Sequence, residues 1–95
     1  MKMYITAIIK AKEEHREEVL ETLQNMVRET IKEEASEQYT LHQGIEDHNT
    51  FVFYEIWKNE DGLAGHNEQP YIKAFGNLIN EKLQEPPQIY VTQAI

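Results

Sequence analysis

The sequence predicts an α+β fold, with one four-stranded antiparallel sheet and its helices on a single face. Three observations predict it. Two strand-like segments flank a short polar turn mid-chain. Two longer segments repeat apolar residues at three- and four-residue steps, the period of a half-buried helix. The elements then run β-α-β-β-α-β, which is the ferredoxin-like arrangement. With 95 residues, the chain reads as a single domain over 1–95.

Met3 to Ala11 is the first strand, with Tyr4, Ile5, Ile8 and Ile9 and no Pro or Gly. A charged block from Lys12 to Glu18 opens a long helix, whose stripe is Val19, Leu20, Leu23, Met26, Val27, Thr30 and Ile31. Its other face carries Glu14, Glu17, Glu18, Glu21, Glu29 and Glu33, read as a solvated exterior. In the second strand, Tyr39, Leu41, Gln43 and Ile45 alternate with Thr40, His42 and Gly44. Glu46 to Asn49 is a polar turn of residue types that tolerate left-handed backbone. Thr50 to Lys58 is the clearest strand. Asn59 can cap a short helix weakened by Gly62 and Gly65. Pro70 suits the first turn of the next helix, whose stripe is Tyr71, Ala74, Phe75, Leu78, Ile79 and Leu83. Pro86-Pro87 stops it, and Gln88 to Thr92 is the last strand.

Composition narrows the partners. Nine Lys and Arg against 17 Asp and Glu leave a formal charge of −8. That charge repels phosphate backbones, so nucleic acid and anionic membrane are poor partners. The longest apolar run near the start, Ala7-Ile8-Ile9, is too short for a span or a signal core, and the expected location is cytoplasmic. Cysteine is absent, which excludes disulfides, thiolate metal sites and a Cys nucleophile. No pair of His has helical spacing, so a metal site has no support. P-loop, G-x-S-x-G and dinucleotide fingerprints are missing too.

The third strand puts Phe51, Phe53, Glu55 and Trp57 on one face and Val52, Tyr54 and Ile56 on the other. Both faces are largely apolar, and helices can cover only one. A chain this short also hides only about 60–65% of its unfolded surface on folding alone. A twofold homodimer with sheets face to face is the expected solution.

Glu55, sharing a face with three aromatics, is either a general acid or base in an apolar pocket or a carboxylate held in a structural hydrogen bond. His66, at the end of the short helix, is either a proton acceptor at a pocket rim or a surface or capping residue. His42 lies in a strand among polar neighbours; His15 and His48 read as solvated.

The segment Tyr39 to Phe75 carries a Tyr on the second strand, an aromatic third strand ending E-x-W, a short helix ending in His, then Pro and Phe. Here these are Tyr39, Phe51, Phe53, Glu55, Trp57, His66, Pro70 and Phe75. In this pattern the chain resembles the antibiotic biosynthesis monooxygenase family. The resemblance implies a dimeric α+β barrel with a pocket between sheet and helices. It also implies a range of activities: oxidation of quinols and phenols without metal, flavin or other prosthetic group, heme degradation, and isomerisation of a phosphorylated sugar derivative. Two positions depart from the family pattern. Tyr71 stands where a His commonly follows the Pro, and Ala35-Ser36 replaces a Gly-Cys pair. The Asn and His used by heme-degrading relatives are missing.

The expected function is a cofactor-independent monooxygenase that oxidises a small aromatic or quinol substrate with dioxygen. His66, Glu55 and Trp57 form the expected catalytic set. Tyr39, Phe53, Tyr71, Phe75 and His42 form the expected substrate-binding set. The alternatives are an isomerase of a small phosphorylated carbonyl compound and a non-enzymatic small-molecule-binding dimer.

Overall fold

A computed structural model describes residues 1–95. Strand β1 (Met3–Lys10) is followed by a single 3-10 turn (Glu13–His15) and helix α1 (Arg16–Thr30). Next come β2 (Ser36–Gln43), β3 (Thr50–Trp57) and helix α2 (Glu60–Asn67). Helices α3 (Pro70–Gly76) and α4 (Ile79–Lys82) lead to β4 (Gln88–Thr92). The strands form one sheet in the order β2-β3-β1-β4, and every neighbouring pair is antiparallel. This is the ferredoxin-like topology expected from the element order.

The register explains the two faces. Ile5, Ala7 and Ile9 of β1 lie opposite Glu55, Phe53 and Phe51 of β3, and Tyr39 of β2 lies opposite Glu55 on the other side. These residues share the helix-covered face, where Val19, Leu23 and Met26 of α1 join them in one apolar core. Phe51, Phe53 and Trp57 are sealed from solvent. Burying an aromatic of this size contributes on the order of 2–3 kcal/mol, so this strand is the anchor of the fold. The opposite face carries Tyr4, Ile8, Val52, Tyr54, Ile56 and Tyr90, half-buried or exposed with no helix over them.

Several local expectations are corrected. Ile31, expected on the apolar stripe of the long helix, and Ile45, expected within the second strand, are both exposed. Ile31 falls just past the end of α1, and Ile45 lies beyond the end of β2 in the turn. That turn uses no left-handed residue. Asp47 organises it instead, accepting from the Asn49 amide and the Thr50 hydroxyl, each at 3.0 Å. The helix expected from Pro70 to Leu83 is two short helices, interrupted at Asn77-Leu78 after Gly76. Ala74 is exposed, and Leu83 leaves the helix to make a β-bridge with Ala11. The short helix is regular despite its glycines, because Asn59 Oδ1 accepts from the Gly62 amide at 2.8 Å. No helix is long and apolar enough to cross a membrane.

Candidate functional site

The sheet and helices do not meet everywhere. Where α1 ends, the short helices α2 and α3 lean across the middle of the sheet and leave a cavity of about 180 Å³. Ile5, Ala7 and Ile9 floor it; Met26, Leu63, Ile72 and Phe75 wall it. Pro87, Ile89 and Val91 also line it, and Ile89 and Val91 are largely exposed, so the β4 edge forms its lip. The polar lining is Tyr39, Glu55, His66 and Asn67, with no Lys or Arg. An apolar cleft with a few convergent polar groups is the usual form of a small-molecule site.

Glu55 reaches this cavity because strand alternation puts it on the same face as Phe53 and Trp57. Its Oε1 accepts from the Trp57 indole nitrogen at 2.8 Å, and Oε2 makes no hydrogen bond within the protein. Burial pushes the carboxyl up to about 7, against the Trp57 hydrogen bond, and the charge of Glu33 adds to the rise. One oxygen is thus held in a structural hydrogen bond, while the carboxyl as a whole sits in an apolar pocket that raises it.

His66 is buried in the last turn of α2, with only 4% of its surface exposed. Its ring is 4.5 Å from the Trp57 ring and 5.3 Å from the Tyr39 ring, centroid to centroid. Its Nδ1 lies 2.8 Å from Oε2 of Glu33. The Tyr71 hydroxyl donates to the same oxygen. Burial lowers the proton affinity of His66, and Glu33 opposes that pull only in part, so the ring is neutral at pH 7. Burial also raises the Tyr39 phenol, with the Glu55 charge adding to it, so Tyr39 stays a donor. Its hydroxyl lies beside Thr30, whose fully buried Oγ1 makes no hydrogen bond.

Five expected residues converge on the cavity: Tyr39, Phe53, Glu55, His66 and Phe75. Three do not. Trp57 is sealed behind Glu55 and holds it rather than facing the cavity. Tyr71 stands a layer back, its hydroxyl committed to Glu33. His42 alternates onto the open face of the sheet, opposite Val52, and is exposed. Sequence reasoning missed Glu33 altogether. It was counted with the acidic exterior of α1, but it sits in the turn beyond Thr30, where the Glu33 amide bonds the Thr30 carbonyl at 2.9 Å. That turn carries its carboxylate inward under His66, leaving the side chain 15% exposed.

Fold and cavity together define a small α+β protein with an apolar cavity between its sheet and its short helices. The sequence matches the family described as antibiotic biosynthesis monooxygenase over residues 3–78, and the chain belongs to that family. It is 36% identical over 89 residues to "Putative monooxygenase YcnE" of Bacillus subtilis, covering 94% of each chain. Solved structures share the fold. Rv0793 from Mycobacterium tuberculosis superposes with a TM-score of 0.93 at 18% identity, covering 100% of this chain and 96% of that one. PA3566 from Pseudomonas aeruginosa does so with a TM-score of 0.92 at 24% identity, covering 99% and 94%.

Proposed function

We propose that the protein is a cofactor-independent monooxygenase that oxidises a small quinol or phenol with dioxygen, acting as a cytoplasmic homodimer. The observation that carries this reading is His66. It is a neutral imidazole with Nδ1 engaged and Nε2 free of protein partners, at the wall of an apolar cavity without a cation.

In this reading Nε2 takes the substrate hydroxyl proton, which a general base does best when its affinity lies near the working pH. The resulting anion gives one electron to dioxygen, forming superoxide and a carbon-centred radical. Their recombination makes a C–O bond at a ring carbon bearing hydrogen. The imidazolium returns its proton to the peroxide. Cleavage of O–O with loss of the ring C–H proton leaves a carbonyl and releases water. A quinol and one dioxygen thus become a hydroxyquinone and one water. Tyr39 donates to the developing oxyanion, Glu55 relays or holds a proton, and Phe53 and Phe75 keep the ring dry.

A phosphorylated substrate fits less well. Neither Lys58 nor Lys73 lines the cavity, and Lys73 is paired with Glu68 on the surface at 3.0 Å.

Oxygen uptake with a panel of benzo- and naphthoquinols tests the reading. Wild type should consume oxygen at least about 100-fold faster than His66→Ala, the usual weight of a general base. Uptake no faster than the chemical background, from folded protein, overturns it. Tight quinol binding without turnover would leave a binding module, and oxygen-free turnover of a phosphorylated carbonyl compound would make it an isomerase.

A further inference from the structure

We propose that Glu33 is the positioning residue of the site, fixing the tautomer and tilt of His66 so that Nε2 faces the cavity as the proton acceptor. The inference deepens the monooxygenase reading and rests on it for its kinetic part, but its structural part stands alone.

A nitrogen 2.8 Å from a carboxylate oxygen must carry the hydrogen between them, because two lone pairs at that distance repel. Nδ1 is therefore the protonated nitrogen of the neutral ring, and Nε2 holds the lone pair. The Tyr71 hydroxyl donates to the same Glu33 oxygen and keeps the carboxylate from swinging away. Tyr39 and Trp57 pack against the ring from the sheet side, so the imidazole has one orientation. When Nε2 accepts a proton, the positive charge forms next to the Glu33 carboxylate and is stabilised there. Glu33 touches no cavity surface, so its contact route to the cavity runs through His66, beside the smaller effect of its charge on Glu55.

The test uses long-range proton–nitrogen NMR of the full chain at pH 7.5, with the His66 signals assigned by their loss in His66→Gln. Wild type should show an Nδ1–H tautomer. Glu33→Ala removes the acceptor, so the tautomer should shift toward Nε2–H. Quinol oxidation should fall about 100-fold in kcat with KM changed less than about twofold. Glu33→Gln keeps a neutral acceptor. It should retain the Nδ1–H form, lower the His66 titration midpoint by removing the charge, and lose about 10-fold in kcat. A His66 that keeps its tautomer in Glu33→Ala overturns the proposal. If that variant does not fold, an unmoved His66 midpoint in Glu33→Gln overturns it instead. Should wild type oxidise no quinol while the NMR results hold, the function fails and the positioning role stands.

Discussion

Trp57 holds Glu55 by a 2.8 Å hydrogen bond from its indole nitrogen, although both side chains leave the same strand on the same face. The bond tethers a buried acid without neutralising the effect of burial, which lifts the carboxyl to about 7. Between its ordinary value of 4.5 and 7 the folded protein holds a proton that the unfolded chain has released. Stability from this group is therefore full below the ordinary value and lost as pH rises through 7. The loss amounts to about 3 kcal/mol, reckoned as order of magnitude from the raised value. Glu55→Gln removes the titration, so relative to wild type it should gain stability from pH 5 to about pH 7 and level off above that. Urea unfolding at each pH checks this, and a flat difference between the two proteins would contradict a buried, titrating Glu55.

Tyr71 follows Pro70 at the start of α3, and its hydroxyl serves Glu33 rather than the cavity. Burial raises its phenol, and its contact with the Glu33 charge raises it further, so it remains a donor throughout the usable pH range. Tyr71→Phe should cost about 1.5–3 kcal/mol, the loss of a hydrogen bond to a charged group. With one donor gone, Glu33 has only the imidazole to satisfy it, so His66 should bind its proton more tightly. An upward shift of the His66 titration midpoint is the expected NMR result. A downward shift would mean that Tyr71 steadies the ring some other way.

These two relationships show what the sequence could and could not reveal. Strand alternation alone puts Phe53, Glu55 and Trp57 on one face, and the element order implies the sheet topology. Tyr39 and Phe75 enter the expected site through the family resemblance, not through periodicity. Glu33 was hidden because it is one of nine acids between Glu13 and Glu37, and only the turn after Thr30 separates it from the solvated ones. Its partner His66 is 33 residues away, a contact no periodicity reports. Alternation along β2 already separates His42 from Tyr39, and the structure keeps His42 on the open face, away from the cavity. Trp57 was assigned to the cavity because alternation fixes a face and not a depth.

Gly62 explains how α2 comes close enough for His66 to reach Glu33. A methyl group on Gly62 would sit 2.3 Å from the Ala35 side chain, in the turn that carries Glu33. The same turn is tied to the end of β3 by a 3.0 Å bond from the Lys58 amide to the Ala35 carbonyl, so it cannot yield freely. Gly62→Ala should therefore push α2 outward and destabilise the protein by about 1–3 kcal/mol, as overpacking does. Because His66 lies one helical turn further along, its bond to Glu33 should lengthen and the Nδ1–H signal weaken. Ala35→Gly in the same chain should restore both, since it removes the opposing methyl. Failure of that rescue would show that the close approach does not set the His66 position.

The open face of the sheet leads to the last prediction. Tyr4, Ile8, Val52, Tyr54, Ile56 and Tyr90 lie together on it, and Tyr54 and Tyr90 are 37% and 53% exposed. Another protein surface is the natural cover for an apolar face of this kind, and a second copy presents the same residues by symmetry. Wild type should sediment as a dimer at micromolar concentration. Val52 lies on this face, opposite Ile8 in the register. Val52→Lys would put a charge from each copy into the shared apolar face and should weaken association at least about 100-fold, equivalent to about 3 kcal/mol. The cavity lies on the opposite side of the sheet, so the variant tests association without altering a cavity-lining residue. Monomeric wild type at micromolar concentration would remove the dimer. An unweakened Val52→Lys dimer would move the interface elsewhere, and the exposed Ile89 and Val91 at the cavity lip would then be the next apolar surface to probe.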